Sequence, residues 1–140
     1  MTRGRTVLCL VLGLAVFGGI GALCAQELPG ITSKDLYPNG CVDCHKDQRD
    51  GKDFRVIGEL ANISGHPKVE KIVKTVPKDC FICHKTGGKA PEFNLVMHRV
   101  HFEKPAANAF VTAFKGACLT CHALDQGTGV ISVKIGPKNW

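Results

Sequence analysis

The chain has 140 residues, the length of one domain, and its formal net charge at pH 7 is +6. Only 6% of its residues are aromatic, whereas 16 are glycine and 7 are proline. Such a composition is poorly suited to building a large core from side chains alone, so we expect another source of apolar volume.

Residues 1–25 have the pattern of a secretory signal peptide. A short basic start precedes an apolar run and a stretch of small residues. Two alternatives stay open for this segment. One is a retained membrane anchor, for which the apolar run is short. The other is a lipoprotein signal ending at Cys24, which follows a bulky leucine instead of a small residue. We therefore expect an exported, periplasmic or extracellular protein whose mature domain spans residues 26–140.

The mature region predicts a mainly α fold with much coil. Residues 26–40 contain two prolines and two glycines and are expected to be extended. The sequence GVISVKIG at 129–136 alternates and predicts a strand, for which the sequence indicates no partner strand. Short helical segments are predicted at 41–47, 67–76, 80–85, 92–103, 106–115 and 118–123.

One motif occurs three times: CVDCH at 41–45, CFICH at 80–84 and CLTCH at 118–122. The pattern C-x-x-C-H is typical of covalent attachment of c-type haem. Residues three apart on a helical turn share a face, so both sulfurs can bond to the vinyl groups on one edge of a porphyrin. The following histidine lies on that face and can bind the iron. The predicted attachment residues are Cys41, Cys44, Cys80, Cys83, Cys118 and Cys121, and the predicted proximal ligands are His45, His84 and His122.

Three other uses of paired cysteines explain this pattern less well. Structural zinc takes four ligands, and three C-x-x-C pairs do not divide evenly into such sites. Disulfides suit an exported protein but give the three motif histidines no role. A thioredoxin-like redox motif would be single and set in a βαβ unit. We therefore expect three haem c groups, each with iron.

The chain has three further histidines, one for the second axial position of each iron. They are His66, His98 and His101. The last two lie three apart in a predicted helix and project from nearly the same face, so they would serve two different haems. By order along the chain, His66 is assigned to the second haem, one of the H-x-x-H pair to the third, and the other to the first. Met97 is the competing ligand type, but it neighbours His98, and we expect it to pack against a porphyrin.

These motifs, the H-x-x-H pair and the small basic chain together resemble the class III multihaem cytochromes c. Those proteins are periplasmic electron carriers with three or four closely packed haems, each bound by two histidines. The resemblance covers most of residues 38–122 and rests on the ligand motifs. It implies a small multihaem cytochrome c fold wrapped around three covalently bound haems. Two features depart from the family: the H-x-x-H pair follows the second motif instead of preceding the first, and the gaps between motifs are long.

Iron with two histidine ligands has no open position, so we expect an electron carrier without enzymatic activity. Two alternatives stay open: a protomer of an extracellular haem filament or haem subunit of a larger membrane-linked redox complex, and a small reductase with one open haem. We expect redox proteins as partners and no nucleic acid, which an exported protein rarely meets. A run of lysines at helical spacing would offset haem propionates and dock an acidic redox partner. They are Lys68, Lys71, Lys74 and Lys78.

Overall fold

The computed structural model describes residues 27–140, so the predicted signal peptide and Cys24 lie outside the described residues. Every helix and strand in the described part is short. The first elements are α1 (Cys41–Cys44), β1 (Gln48–Arg49), β2 (Lys52–Asp53), α2 (Val56–Ala61), β3 (Thr75–Val76) and a 3-10 helix (Lys78–Ile82). The later elements are α3 (Phe93–Phe102), α4 (Ala109–Thr112), a second 3-10 helix (Cys118–Thr120), β4 (His122–Leu124), β5 (Ile131–Val133) and β6 (Gly136–Pro137).

Five of the six predicted helical segments contain a helix, and α3 is the one that nearly reaches its predicted length. The predicted helix at 67–76 is wrong. The backbone N–H groups of Lys74 and Thr75 donate to the Asp79 carboxylate at 2.7 and 2.9 Å instead of to carbonyls one turn earlier. That carboxylate competes with helical hydrogen bonding, and Thr75 then enters strand β3.

The segment 27–40 also differs from its predicted extended form, because it makes turns. The Leu28 N–H donates to the Thr32 hydroxyl at 2.8 Å, and the Tyr37 N–H donates to Asp35 at 2.9 Å. Local bonds from such side chains to the backbone favour turns over extended chain. The ring centroids of Tyr37 and Phe114 are 6.4 Å apart in an edge-to-face contact, which brings this segment against the last third of the chain.

The strands form three separate two-stranded sheets, β1 with β2, β3 with β6 and β4 with β5, all antiparallel. The strand predicted within 129–136 exists, but the expectation that it lacks a partner is wrong. Its residue Val133 lies opposite His122, the last residue of the third motif. Pairing therefore ties the C-terminal region to a predicted haem-binding segment within the same chain.

The hydrophobic core of the described residues is small. Val42, Val73 and Val76 are the buried hydrophobic side chains, and Trp140 is among the partly buried residues packed against them. Many large apolar side chains are exposed instead, and within the second motif Phe81 is 42% and Ile82 58% exposed. The chain's own side chains thus form a core of the limited size that its composition predicts.

A buried lysine joins three segments near the first and third motifs. The Lys134 side chain is 5% exposed, and its ammonium pairs with Asp35 at 2.8 Å. It also donates to the Leu119 carbonyl at 2.6 Å, while its backbone N–H donates to the Cys121 carbonyl at 2.9 Å. These bonds hold Asp35 and Lys134, which are far apart in sequence, against the third motif.

The residues after β5 also pack against the first motif. The Asn139 amide donates to the carbonyls of Val42 and His45 at 3.1 and 2.8 Å. Gly136 lies so close to this helix that an added Cβ would be 2.6 Å from a methyl group of Val42. Glycine is therefore the residue that permits this close approach.

Candidate functional site

The six histidines form three pairs of rings, and each pair joins one motif histidine to one of the other three. The sequence analysis assigned His66 to the second motif and divided His98 and His101 between the first and third motifs, without deciding which of the two serves which. The ring centroids are 6.1 Å apart for His45 and His101, 6.2 Å for His66 and His84, and 6.1 Å for His98 and His122.

The separation within each pair matches two imidazoles that bind one metal ion from opposite sides. A bond from a metal to an imidazole nitrogen is about 2.0–2.1 Å long, so two such bonds in line, with the distance from each nitrogen to its ring centre, span roughly 6 Å. Two imidazoles at this separation can therefore supply a metal with two axial ligands. In the described part of the chain, no group of three or more His, Cys, Asp or Glu side chains is placed to hold a metal ion together.

At the first pair, a hairpin orients the motif histidine. Helix α1 ends at Cys44, and the turn through β1 and β2 brings Phe54 back beside His45. The Nδ1 atom of His45 lies 3.0 Å from the Phe54 carbonyl oxygen. A carbonyl only accepts, so Nδ1 carries the hydrogen and Nε2 keeps its lone pair free for a metal.

At the second pair, both rings are oriented in this way by backbone carbonyls. His84 Nδ1 donates to the Pro91 carbonyl at 2.7 Å, and His66 Nδ1 donates to the Pro67 carbonyl at 2.9 Å. The planes of the two rings are 13° apart. Each Nε2 is again left as an acceptor, and such hydrogen bonds to the outer nitrogen raise the basicity of a metal ligand.

The third pair lacks such a bond at its motif histidine. His122 begins β4, and its Nδ1 atom is buried without a hydrogen-bond partner in the described structure. Its ring lies nearly parallel to that of His98, with 10° between the planes. The histidines of the three motifs therefore have different surroundings.

Helix α3 links all three pairs. His98 and His101 project from it toward the third and first motifs. At its N-terminus, the ring of Phe93 lies 6.2 Å from that of His84 in the second motif. One helix of ten residues thus contacts at least one ring of every pair.

The motif cysteines lie beside these ring pairs as free thiols. The His45 N–H donates to the Cys41 carbonyl at 2.8 Å and the His84 N–H to the Cys80 carbonyl at 3.0 Å, which closes one helical turn in each motif. Burial, reinforced by the nearby Cys121, raises the pKa of Cys41 to about 12 and that of Cys44 to about 11. These two thiols are therefore protonated at neutral pH.

Sequence analysis found every member of the ring pairs and missed the groups that orient them. The carbonyls of Phe54, Pro67, Pro91 and Met97 are backbone groups, so residue type gives no signal for them. For Met97, the predicted helix was the available signal, because its carbonyl lies one turn before His101 and receives the hydrogen of that ring at 2.8 Å.

No protein-family model, curated protein or solved structure matches this chain. Among residues 27–140, no helix has the length and apolar character needed to cross a membrane.

Proposed function

We propose that this protein transfers electrons through three c-type haems, each with its iron between the imidazoles of one ring pair. The observation that supports this most directly is the pairing itself. Every motif histidine faces one non-motif histidine, and the three centroid separations agree within 0.1 Å. Three repeats of one arrangement, each beside a C-x-x-C pair, are best explained by three copies of one cofactor.

Haem explains the number of protein ligands better than zinc does. Each ring pair offers two imidazoles at a centroid separation of 6.1–6.2 Å, and a porphyrin would supply the remaining four ligands of an octahedral iron. A structural zinc ion takes all four of its ligands from the protein.

The packing is also consistent with porphyrins as the main apolar component. With so small a hydrophobic core, the exposed Phe81 and Ile82 lie between the two cysteines of the second motif, where a bound porphyrin plane would cover apolar surface. The lysines would partly neutralise the propionates of the haems.

Electron transfer is favoured over substrate chemistry because both axial positions of each iron have a candidate ligand. When bound, haem iron supplies one-electron exchange, and the chain's role is to choose the ligands, orient them and limit access of water. An exported, periplasmic or extracellular location and redox proteins as partners belong to the same proposal. β5 pairs with β4 and β6 with β3 within the chain, so the C-terminal region can complete its sheets without a second subunit.

Intact mass and visible spectroscopy of the native protein test this proposal together. We expect the mass of the processed chain plus three haems, and a low-spin spectrum. Replacing Cys80 and Cys83 by alanine should remove one haem mass and about a third of the haem absorbance. As a control, replacing Ser132, which lies on an exposed strand, by alanine should leave both unchanged. A colourless protein, or one that contains zinc instead of porphyrin, would refute the proposal.

A further inference from the structure

The first ring pair differs from the other two in the angle between its rings. His45 and His101 are close to perpendicular, whereas the other two pairs are nearly parallel. The interplanar angles are 78° for His45 and His101, 13° for His66 and His84, and 10° for His98 and His122.

Two contacts hold the His101 ring in the crossed orientation. Its Nδ1 donates to the Met97 carbonyl of the same helix at 2.8 Å, which restricts rotation about the side-chain bonds. The centroid of the Phe110 ring also lies 5.3 Å from that of His101 at an interplanar angle of 79°, an edge-to-face contact of the kind that aromatic rings favour.

Phe110 is itself held in place by its neighbours. Its ring lies 5.4 Å from Phe102 at 87°, a second edge-to-face contact. Its backbone N–H donates to the Asn108 side chain at 3.0 Å, and this cap begins α4. The amide of Asn108 also donates to the carbonyl of Val100 at 2.9 Å, which fastens α4 to the end of α3. The contact between Phe110 and His101 therefore joins two anchored elements.

His98 provides a comparison within the same helix. It lies one turn earlier on α3 and faces His122 with nearly parallel planes. Its aromatic neighbour is Phe102, at 6.4 Å and with a tilt of 34°, so that contact is longer and not perpendicular. The helix backbone alone thus does not impose the crossed arrangement, and His101 is distinguished by its hydrogen bond to Met97 and its contact with Phe110.

We propose that Phe110 is a positioning residue that holds the His101 ring across the His45 ring, so that the haem at the first pair is electronically distinct from the other two. This inference rests on the proposed haem function. It assigns a role to a residue that contacts an axial ligand and belongs to no haem-binding motif.

The angle matters because each imidazole interacts with the iron d orbital that matches the direction of its ring. Two parallel rings interact with the same one of two iron d orbitals, and this separates the two orbitals in energy. Crossed rings act on one orbital each and leave the two close in energy. In oxidised low-spin iron, near-equal orbitals give a strongly anisotropic electron paramagnetic resonance (EPR) signal, whereas separated orbitals give an ordinary rhombic signal. The axial ligands are one of the means by which a protein adjusts haem iron.

EPR spectra of the oxidised holoprotein at low temperature test this inference. We expect three low-spin signals of equal intensity, one strongly anisotropic and two rhombic. Three rhombic signals would overturn the inference and leave the proposed function standing. The absence of any low-spin haem signal would refute the proposed function, and the inference with it.

Substitution of Phe110 tests the role of that residue. In Phe110→Leu, which keeps apolar volume but lacks the aromatic edge, we expect the anisotropic signal to become rhombic or to be replaced by high-spin iron, with both rhombic signals retained. Phe114→Leu is the matched control, because Phe114 lies four residues further along the chain and its ring contacts Tyr37, at a centroid separation of 6.4 Å, instead of a histidine; all three signals should be retained in it. An unchanged anisotropic signal in Phe110→Leu would overturn the positioning role.

Discussion

Replacing Lys134 by methionine should destabilise the protein substantially, because it leaves Asp35 without its partner. Methionine keeps most of the buried side-chain volume but removes the ion pair at 2.8 Å and the hydrogen bond to Leu119 at 2.6 Å. Breaking a fully buried pair from one side costs about 3–5 kcal/mol. The Asp35 side chain is 24% exposed and can regain water, so we expect a smaller loss of about 1.5–3 kcal/mol, the range for a hydrogen bond to a charged group.

The effect should depend on pH with a defined sign. Burial alone would raise the pKa of Asp35, but its hydrogen bond to Lys134, a backbone hydrogen bond at Tyr37 and the ammonium charge lower it overall. A carboxyl whose pKa is lower in the folded state contributes stability above its unfolded pKa, about 3.9, and loses that contribution as the pH falls through its folded pKa. The difference between wild type and Lys134→Met should therefore shrink below about pH 4.

Denaturant unfolding, followed by the fluorescence of the single tryptophan, Trp140, measures these differences. Lys34→Met is the matched control, since Lys34 is exposed and we expect a change within about 0.5 kcal/mol. The double variant Asp35→Asn, Lys134→Met should lose less stability than the sum of the two single variants. Full additivity, or a Lys134→Met protein as stable as wild type, would contradict the assignment.

Two further substitutions test the second ring pair and the close approach of the C-terminal region. In His66→Ala, one of three irons should become high-spin and bind carbon monoxide when reduced, and spectra identical to wild type would exclude His66 as a ligand. Gly136→Ala should cost about 1–3 kcal/mol in denaturant unfolding, because its Cβ would lie 2.6 Å from Val42. Gly127→Ala is its control, with Asp125 at 3.4 Å as the near neighbour, and equal losses in both variants would contradict the packing argument.

The local chemistry of the site could be predicted because it depends on spacing. In the first two C-x-x-C-H motifs the cysteines and the histidine lie within one helical turn, and the predicted helix that contains His98 and His101 is present as α3. The grouping of His66 with His84 followed from their order along the chain. Such inferences need only short-range geometry.

Long-range and competing interactions could not be predicted in the same way. The helix expected at 67–76 is replaced because Asp79 takes its backbone donors, and a single aspartate gives no sign of that role in the sequence. The partner of β5 is β4, which begins at His122 of the third motif. The sequence of that motif predicted a helix at this position. The contact of Phe110 with His101 joins α4 to α3. The hydrophobic pattern of each helix predicts an apolar face, but it does not indicate which faces of the two helices pack together.

The three ring pairs also imply an order of assembly. His66 and His84 are 18 positions apart, and both lie inside the span of 56 positions that separates His45 from His101. Closing the shorter loop costs about 1 kcal/mol less chain entropy than closing the longer one. The segment from His98 to His122 overlaps the segment from His45 to His101, and the residues that they share lie in α3. We therefore expect the second pair to form independently and early, whereas the first and third pairs form together once this shared helix has folded.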